Sequence, residues 1–283
     1  MKRKKKLLIT FVVLVSLIFF FYVQNNSIVT TETTISSGKL PESMEGFKIV
    51  QLSDLHSKNF GKNQSVLVQK VNELKPDLIV FTGDLVDSKR YKEKVSLILM
   101  KELVEIAPTY FVTGNHEWGS GKFVSLESKL NDIGVQVMRN TADTITIRND
   151  KAYIIGIDDP PQMNNRHAEQ SLTRETIENS TKKLEDGYFK ILLSHRPEMF
   201  PLYSRYGFDL VFSGHAHGGQ FRIPFVGGLM APNQGLFPKY TAGKHVSDNT
   251  TMIVNRGLGN SIIPIRIFNR PEIVLVTLKS VNH

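Results

Sequence analysis

The sequence contains no cysteine among its 283 residues. This absence excludes disulfide bonds, haem held by a thiolate and cysteine-based zinc fingers. The N-terminal basic run reads Lys-Arg-Lys-Lys-Lys, so the arginine pair of a twin-arginine export signal is missing as well. A chain without cysteine is compatible with a compartment outside the cytoplasm, where it would fold without an oxidation step.

Positive charge is spread unevenly along the chain. The formal net charge is +8, but residues 2–6 carry five of these charges, which leaves +3 for the remainder. A basic domain would indicate a nucleic-acid partner; here the excess belongs mainly to the tail, and no such partner is expected. Hydrophobic residues at 41% and charged residues at 22% are typical of a folded globular protein.

Residues 7–23 form an apolar run that directly follows the basic tail. As a helix this run would span roughly 25 Å, slightly less than the ~30 Å hydrocarbon core of a membrane. No small-residue cleavage pattern follows it, so we interpret it as an uncleaved signal anchor, with a cleaved signal peptide as the alternative. Because basic flanks stay in the cytoplasm, we expect a single-pass protein of the cell membrane with an extracytoplasmic domain.

The part of the chain after the anchor divides into a polar segment and one large domain. Residues 24–44 are rich in Asn, Ser and Thr and lack periodic hydrophobic positions, which predicts a polar stalk. The predicted organisation is a cytoplasmic basic tail (1–6), a transmembrane signal anchor (7–23), a polar stalk (24–44) and a globular domain (45–279).

Short β-branched runs alternate with amphipathic stretches in this domain, a pattern that predicts a layered α/β fold. The later part is poorer in helical patterns, and a hairpin is expected around 144–155. The predicted strands are 47–52, 78–82, 109–113, 152–157, 189–194, 210–213, 252–255 and 273–278, and the predicted helices are 64–74, 95–106 and 122–133.

Five short segments place metal-binding side chains just beyond predicted strands, where α/β sheets bind their ligands. Five of the eight histidines lie in these segments. Each motif is weak alone, because a single His at a strand end is more often a structural residue. The segments are Ser53-Asp54-Leu55-His56, Gly83-Asp84, Gly114-Asn115-His116-Glu117, Ser194-His195 and Gly214-His215-Ala216-His217.

The set suits a pair of metal ions. Two divalent cations about 3.5–4 Å apart repel each other, so an anionic group must bridge them. One carboxylate, that of Asp84, is suited to this position. The mixture of oxygen and imidazole donors favours Mn, Fe or Zn over Mg or Ca, which prefer oxygen ligands alone.

These segments, spanning Asp54 to His217, resemble the signature of the calcineurin-like metallophosphoesterase superfamily. The stretches 255–259, 264–266 and 271–273 further resemble its membrane-anchored bacterial phosphodiesterase branch of the YkuE/YaeI type. The resemblance implies a four-layer α/β sandwich, in which two facing sheets are flanked by helices.

The resemblance also implies roles for individual residues. A hydroxide held between the two ions is the expected nucleophile, and His116 would face the phosphate, either to stabilise charge or to protonate the leaving group. Asp87 stands where Ser/Thr phosphatases carry the aspartate that orients this histidine; a solvated loop acid is the alternative. The implied ligands are Asp54, His56 and His217 for one metal, Asn115, His195 and His215 for the other, and Asp84 for both.

Departures from the superfamily pattern argue against two of its subgroups. Ser88-Lys89 replace the Arg-Gly of Ser/Thr phosphatases, and Asp87 replaces the tyrosine of purple acid phosphatases. Trp118 could line the substrate mouth, with a core or surface role equally open. We expect a metal-dependent phosphodiesterase or phosphomonoesterase, acting on a lipid-linked or cell-envelope phosphate. An enzyme acting on nucleotides or nucleic acid and a non-catalytic binding protein are the alternatives.

Overall fold

The computed structural model describes residues 2–147, 150–161, 163, 165–260 and 263–281. Most of its helices cover the outer faces of two β-sheets, and α1 projects from the domain with most of its length exposed. The α-helices within these residues are α1 (Lys2–Asn26), α2 (Ser65–Leu74), α3 (Glu93–Val104), α4 (Asn115–Gly119), α5 (Phe123–Asp132), α6 (Arg166–Thr181) and α7 (Phe200–Tyr203).

The strands form two six-stranded sheets and two small antiparallel ladders. They are β1 (Val29–Ser37), β2 (Lys48–Leu52), β3 (Leu78–Thr82), β4 (Thr109–Val112), β5 (Gln136–Val137), β6 (Thr141–Ile147), β7 (Asp150–Gly156), β8 (Lys190–Leu193), β9 (Leu210–Ser213), β10 (Arg222–Ile223), β11 (Gly227–Gly228), β12 (Met230–Ala231), β13 (Gly235–Leu236), β14 (Gly243–Ser247), β15 (Thr250–Val254) and β16 (Glu272–Ser280). The first sheet has the order β1-β16-β2-β3-β4-β5, and the second has the order β14-β15-β9-β8-β7-β6.

Three apolar layers hold these elements together. Successive side chains of a strand point to opposite faces. In β3, Leu78 and Val80 pack between the two sheets, whereas Ile79 and Phe81 pack under α2, α3 and α5. The third layer, which includes Leu192 of β8, lies under α6 and α7 on the other side of the second sheet. The predicted sandwich of two sheets flanked by helices is thereby confirmed.

Most predicted elements lie where the sequence places them. Each predicted strand overlaps an observed one, and the predicted hairpin is β6–β7, with Ile145 opposite Ala152. The three predicted helices correspond to α2, α3 and α5. Helix α6 was not predicted, because polar residues dominate its sequence and only Glu169, Thr173 and Ile177 are buried.

The segment predicted as a polar stalk contains a strand of the first sheet. Strand β1 pairs in parallel with β16, in a register that runs from Val29 opposite Glu272 to Ser37 opposite Ser280. Its Ile35 is 3% exposed and packs between the sheets. The prediction of a stalk is therefore wrong over this stretch. An edge strand needs few apolar side chains, and β-branched threonines support its extended backbone.

Helix α1 has the length and apolar composition needed to cross a membrane. Its carboxyl end rests on the globular domain. Asn25 Oδ1 accepts a hydrogen bond of 3.0 Å from the backbone N–H of Arg266, and the Phe20 ring packs edge-on against Phe268 at 5.7 Å between centroids. The ammonium group of Lys58 also contacts the carbonyl oxygen of Asn25. The helix is thus held by the loops that precede β16 and follow β2.

Candidate metal centre

The seven predicted ligands all follow strand ends. Strands β2, β3 and β4 run parallel in the first sheet, and β8 and β9 run parallel in the second. Their carboxyl ends meet where the two sheets face each other, which brings side chains distant in sequence together. Six of the ligands are buried and Asn115 is partly buried. The ligands are Asp54 and His56 after β2, Asp84 after β3, Asn115 after β4, His195 after β8, and His215 and His217 after β9.

Five of these residues hold a left-handed backbone conformation that is uncommon for residues other than glycine. Their φ angles are 52° at Asp54, 49° at His56, 54° at Asp84, 65° at His215 and 47° at His217. Such a conformation costs of order 1–3 kcal/mol per residue and persists only where the surroundings enforce it. Strain concentrated on one set of polar residues is typical of a functional site.

Two glycines let the backbone approach the buried carboxylates. A Cβ atom on Gly114 would lie 2.3 Å from Asp84 Oδ1, and one on Gly214 would lie 1.9 Å from Ser53 Oγ and 2.5 Å from Asp54 Oδ2. Neither position has room for a side chain. The loops that carry the ligands therefore pack against each other at distances that only glycine allows at these two positions.

Asp54, His56, Asp84 and His217 form the first ligand group, with one donor atom from each within 4.8 Å of the others. His56 Nε2 lies 3.0 Å from His217 Nε2, and His217 Nε2 lies 3.4 Å from Asp54 Oδ1. The two imidazoles and the carboxylates converge on a single point, as the ligands of one cation do.

Asp84, His195 and His215 form the second ligand group. Asp84 Oδ2 lies 3.3 Å from His195 Nε2 and 3.6 Å from His56 Nε2, so a single carboxylate reaches both groups. Burial acts against ionisation of Asp84, but the nearby His195 and His56 outweigh it and hold the pKa of Asp84 well below its ordinary value. Asp84 thus has both the charge and the position of a bridging ligand.

The donor atoms fit bound cations. Burial lowers the pKa of His56 to about 4 and holds the pKa of His215 and of His217 well below the ordinary value, so these imidazoles are neutral and keep a lone pair. Burial raises the pKa of Asp54 to about 7, and a cation alongside would favour its ionised form. Asn115 Oδ1 is buried and finds no hydrogen-bond partner among the residues that the structure describes.

A hydrogen bond to the backbone fixes the ring orientation of one candidate ligand, His195. His195 Nδ1 lies 2.7 Å from the carbonyl oxygen of Thr82, which can only accept a hydrogen bond. Nδ1 is therefore the donor, and Nε2 faces Asp84. A backbone carbonyl behind a metal-binding histidine holds the ring in this way in many metalloproteins.

Comparison with known proteins identifies the family. Residues 47–219, more than half of the chain, match the family model of the calcineurin-like phosphoesterases. The chain belongs to this family. Calcineurin-like phosphoesterases depend on a dinuclear metal centre, and the chain carries two buried ligand groups of that kind.

Several relatives of this phosphoesterase cover most of its length. The metallophosphoesterase YkuE of Bacillus subtilis is 35% identical over 89% of this chain and 85% of its own. The phosphodiesterase YaeI of Escherichia coli is 30% identical over 82% of each chain. The crystal structure of the phosphopantetheinyl hydrolase PptH from Mycobacterium tuberculosis has a TM-score of 0.50 at 13% identity, covering 76% of this chain and 91% of PptH. This last similarity shows the fold alone.

The phosphoesterase holds Asp84 through a buried acid to which sequence analysis gave no role. The Glu117 carboxylate accepts hydrogen bonds from the backbone N–H groups of Gly114 at 2.7 Å, Asp84 at 2.8 Å and Val86 at 3.1 Å. Burial raises the pKa of Glu117 to about 8, against the effect of these three donors. The signal in the sequence is an acid three residues after a helix N-cap, the spacing of a capping box.

His116 lies beside the ligands, and its side chain is held by a neighbouring loop. Its Nδ1 lies 3.1 Å from the backbone N–H of Ser88, so Nδ1 accepts a hydrogen bond and Nε2 carries the proton of the neutral ring. The ring packs edge-on against His56 at 4.5 Å between centroids. His56, Asp87 and His116 form a further group of ligand-type atoms. Arg90 binds the Asp87 carboxylate, and Ser88 donates to His116 Nδ1.

Asp87 does not meet His116 as the resemblance implied. Its carboxylate accepts hydrogen bonds from the Arg90 side chain at 2.6 and 3.0 Å and from the backbone N–H groups of Lys89 and Arg90. A guanidinium three residues away is a stronger partner than a neutral imidazole. The alternative of a solvated acid is also wrong, since Asp87 is buried. Asp87 closes the turn that presents the Ser88 N–H to His116.

Trp118 lies at the surface, next to a cavity of about 330 Å³ whose lining includes Pro160 and Leu172. Its side chain is 39% exposed, and its indole N–H donates a hydrogen bond of 3.1 Å to Thr113 Oγ1. The core alternative is therefore wrong. A contact of Trp118 with substrate stays a prediction.

Proposed function

We propose that this phosphoesterase hydrolyses a phosphodiester or phosphomonoester carried by a lipid or by a cell-envelope component. The observation that supports the chemistry is the pair of buried ligand groups that share Asp84. All seven positions expected to bind metal hold residues able to do so, which opposes a non-catalytic role. The name of the relative YaeI, a phosphodiesterase, agrees with the proposed reaction.

Each group of residues has its own task in the proposed reaction. Asp54, His56 and His217 would hold one cation, and the Asn115, His195 and His215 side chains the other, with Asp84 shared. Bound Mn, Fe or Zn ions would activate a nucleophile at neutral pH and offset the charge on the phosphate.

His116 would act on the substrate directly. Because Ser88 donates to its Nδ1, the proton of the neutral ring is on Nε2. That proton can be donated to a phosphate oxygen or to the leaving oxygen. Asp87 would act indirectly, by holding the turn that contains Ser88.

The position of the helix end supports a substrate at the membrane. Asn25, near the end of α1, binds the backbone of Arg266, whose guanidinium donates to the carbonyl of Gly259 at 3.0 Å. The Gly259 N–H donates in turn to the carbonyl of Asp54 at 2.6 Å. A short chain of contacts therefore joins the helix to a metal-binding loop. If α1 spans the bilayer, with the domain on the extracytoplasmic side, the site lies close to lipid-linked phosphates.

The proposal is tested with the full chain in lipid nanodiscs, loaded in turn with Mn, Fe or Zn. Substrates would include nitrophenyl mono- and diesters, a lipid phosphate, cyclic nucleotides and short oligonucleotides. We expect hydrolysis of the nitrophenyl esters and preference for the lipid phosphate over the nucleotides. Preference for nucleotides or oligonucleotides would favour the alternative substrate class, and no hydrolysis with any metal would refute an enzymatic role.

Replacing Asp84 tests the metal centre itself. Asp84→Asn should lower both metal content and turnover severely, because a neutral amide cannot offset the repulsion between two dications. Asp132→Asn, a change at an exposed residue of α5, is the matched control. Two metals per chain in Asp84→Asn, bound as tightly as in the unchanged protein, would rule out the bridging role.

A further inference from the structure

Large apolar side chains are exposed in two loops that follow the last metal ligand. Phe225 is fully exposed at the turn between β10 and β11, and Phe237 is 63% exposed after β13. Residues 223–238 include no Asp, Glu, Lys or Arg. Further exposed apolar side chains lie in the segment before β16. We call the exposed apolar side chains of this segment and of the two loops the apolar rim. The rim consists of Ile223, Phe225, Val226, Leu236, Phe237, Ile265 and Phe268.

The apolar rim meets the apolar helix α1 at Phe268. Phe20 of α1 packs against Phe268 of the rim, with 5.7 Å between ring centroids. The backbone N–H of Arg222 donates to the carbonyl of Ile267 at 3.0 Å, which joins the β10–β11 turn to the same segment. The side chains of α1 between Leu7 and Tyr22 are themselves largely exposed. The helix and the segment before β16 thus meet through apolar side chains, and the β10–β11 turn is bonded to that same segment.

A pair of a cation and an aromatic ring borders the rim. Lys239 follows the uncharged stretch directly, and its ammonium lies 5.1 Å from the centre of the Tyr240 ring. Aromatic side chains flanked by cations are characteristic of the boundary between lipid headgroups and acyl chains. Large apolar side chains that cluster on an exposed surface mark a contact with a protein or a membrane.

The loops of the rim are tied to a metal ligand. The side-chain amide of Asn269 donates to the carbonyls of His217 at 2.7 Å and Gln220 at 3.0 Å. Gln220 Nε2 donates to the carbonyls of Ile263 at 2.7 Å and Ile265 at 3.2 Å. The position of the rim is therefore coupled to that of the first ligand group.

We propose that the apolar rim inserts into the interfacial layer of the bilayer that α1 crosses, and so holds the metal centre against the lipid headgroups. This inference rests on the membrane anchoring proposed above. It adds a second contact with the membrane beyond the helix. It also restricts the substrate to a phosphate at headgroup depth, within reach of a domain that cannot swing away from the surface.

The absence of cysteine makes the test direct. Single variants Phe225→Cys and Phe237→Cys of the full chain are labelled with an environment-sensitive fluorophore and placed in nanodiscs of phosphatidylcholine and phosphatidylglycerol. Ile18→Cys, within α1, reports the anchor. Val124→Cys is the matched exposed control, on α5 beside β5, at the opposite edge of the first sheet from β1.

Lipids with a nitroxide near the headgroup should quench at least half of the emission from positions 225 and 237, and leave that from position 124 unchanged. Nitroxides deep in the acyl chains should quench position 18 most strongly. Quenching at 18 without quenching at 225 and 237 would overturn the rim proposal and leave the anchor intact. No quenching at 18 would instead refute the membrane anchoring itself.

Discussion

Replacing Ile35 by Ala tests whether residues 29–37 belong to the folded domain. Ile35 lies in β1, opposite Leu278 of β16, and is 3% exposed. The neighbouring Thr34 is exposed, so Thr34→Ala is a matched control on the same strand. In a flexible stalk neither change would alter stability. In an edge strand only the first would.

The size of the effect follows from burial. Truncation of a buried Ile to Ala costs about 2–5 kcal/mol, and an edge strand that can relax belongs at the lower end, about 2–3 kcal/mol. For a domain of this size each kcal/mol lowers the melting temperature by about 2–4 °C. We therefore expect Ile35→Ala to melt roughly 4–12 °C below the unchanged protein, and Thr34→Ala to melt within about 2 °C of it.

Unfolding of the full chain in detergent can be followed through Trp118, the single tryptophan. Its indole is hydrogen-bonded to Thr113 at the end of β4, so its emission reports the first sheet. Equal melting temperatures for the two variants would refute the assignment of residues 29–37 to a strand of the folded domain. A broad transition in Ile35→Ala alone would show that β1 separates before the rest of the domain unfolds.

Three further predictions concern the site and the anchor. His116→Asn should keep both metals, as measured by elemental analysis. Its turnover should fall about 10²–10⁴-fold for substrates with poor leaving groups and less for nitrophenyl esters. Loss of metal would make His116 a ligand instead. Gly214→Ala should weaken metal binding, measured by titration, because its Cβ would meet Ser53 Oγ at 1.9 Å; unchanged affinity would contradict the close approach. Leu14→Lys combined with Phe19→Lys should move the protein out of the membrane fraction, since each charge near a helix centre costs about 2.5–3.5 kcal/mol on insertion. Recovery of that variant in the membrane pellet would argue against α1 as the anchor.

The clustering of the candidate metal ligands could be predicted because their signal is local. Each candidate ligand lies within four residues of the end of a strand, and the strands were recognisable as short apolar runs. Asp84 and His195 lie far apart in sequence, yet the ends of two facing sheets bring their atoms to 3.3 Å. The sequence also shows that Gly114 and Gly214 each precede a candidate ligand. Only the structure shows which atoms a side chain at these positions would meet.

Features that depend on distant partners could not be predicted. β1 has one fully buried apolar side chain, Ile35, so its pattern resembles that of a polar linker until β16 is placed beside it. The contact expected between Asp87 and His116 failed because Arg90, three residues on, is a closer and stronger partner. The capping-box spacing indicates only the bond from Gly114 to Glu117. The bonds from Asp84 and Val86 could not be predicted, because they come from a distant loop.

The pairing of β1 with β16 makes completion of the first sheet depend on a strand that follows all its other strands in sequence. The Thr31 hydroxyl donates to Glu272 at 2.6 Å across a separation of 241 residues, and β16 lies between β1 and β2 in the first sheet. During synthesis α1 emerges before these strands, and β1 and β2 lack their common neighbour until residues 272–280 have been made. A ribosome that stalls before residue 272 would thus leave two unpaired strand edges, which are prone to pair with other chains. The late pairing of β16 separates the emergence of α1 from completion of the first sheet in time, so a chain that stops before β16 would expose strand edges that the folded domain covers.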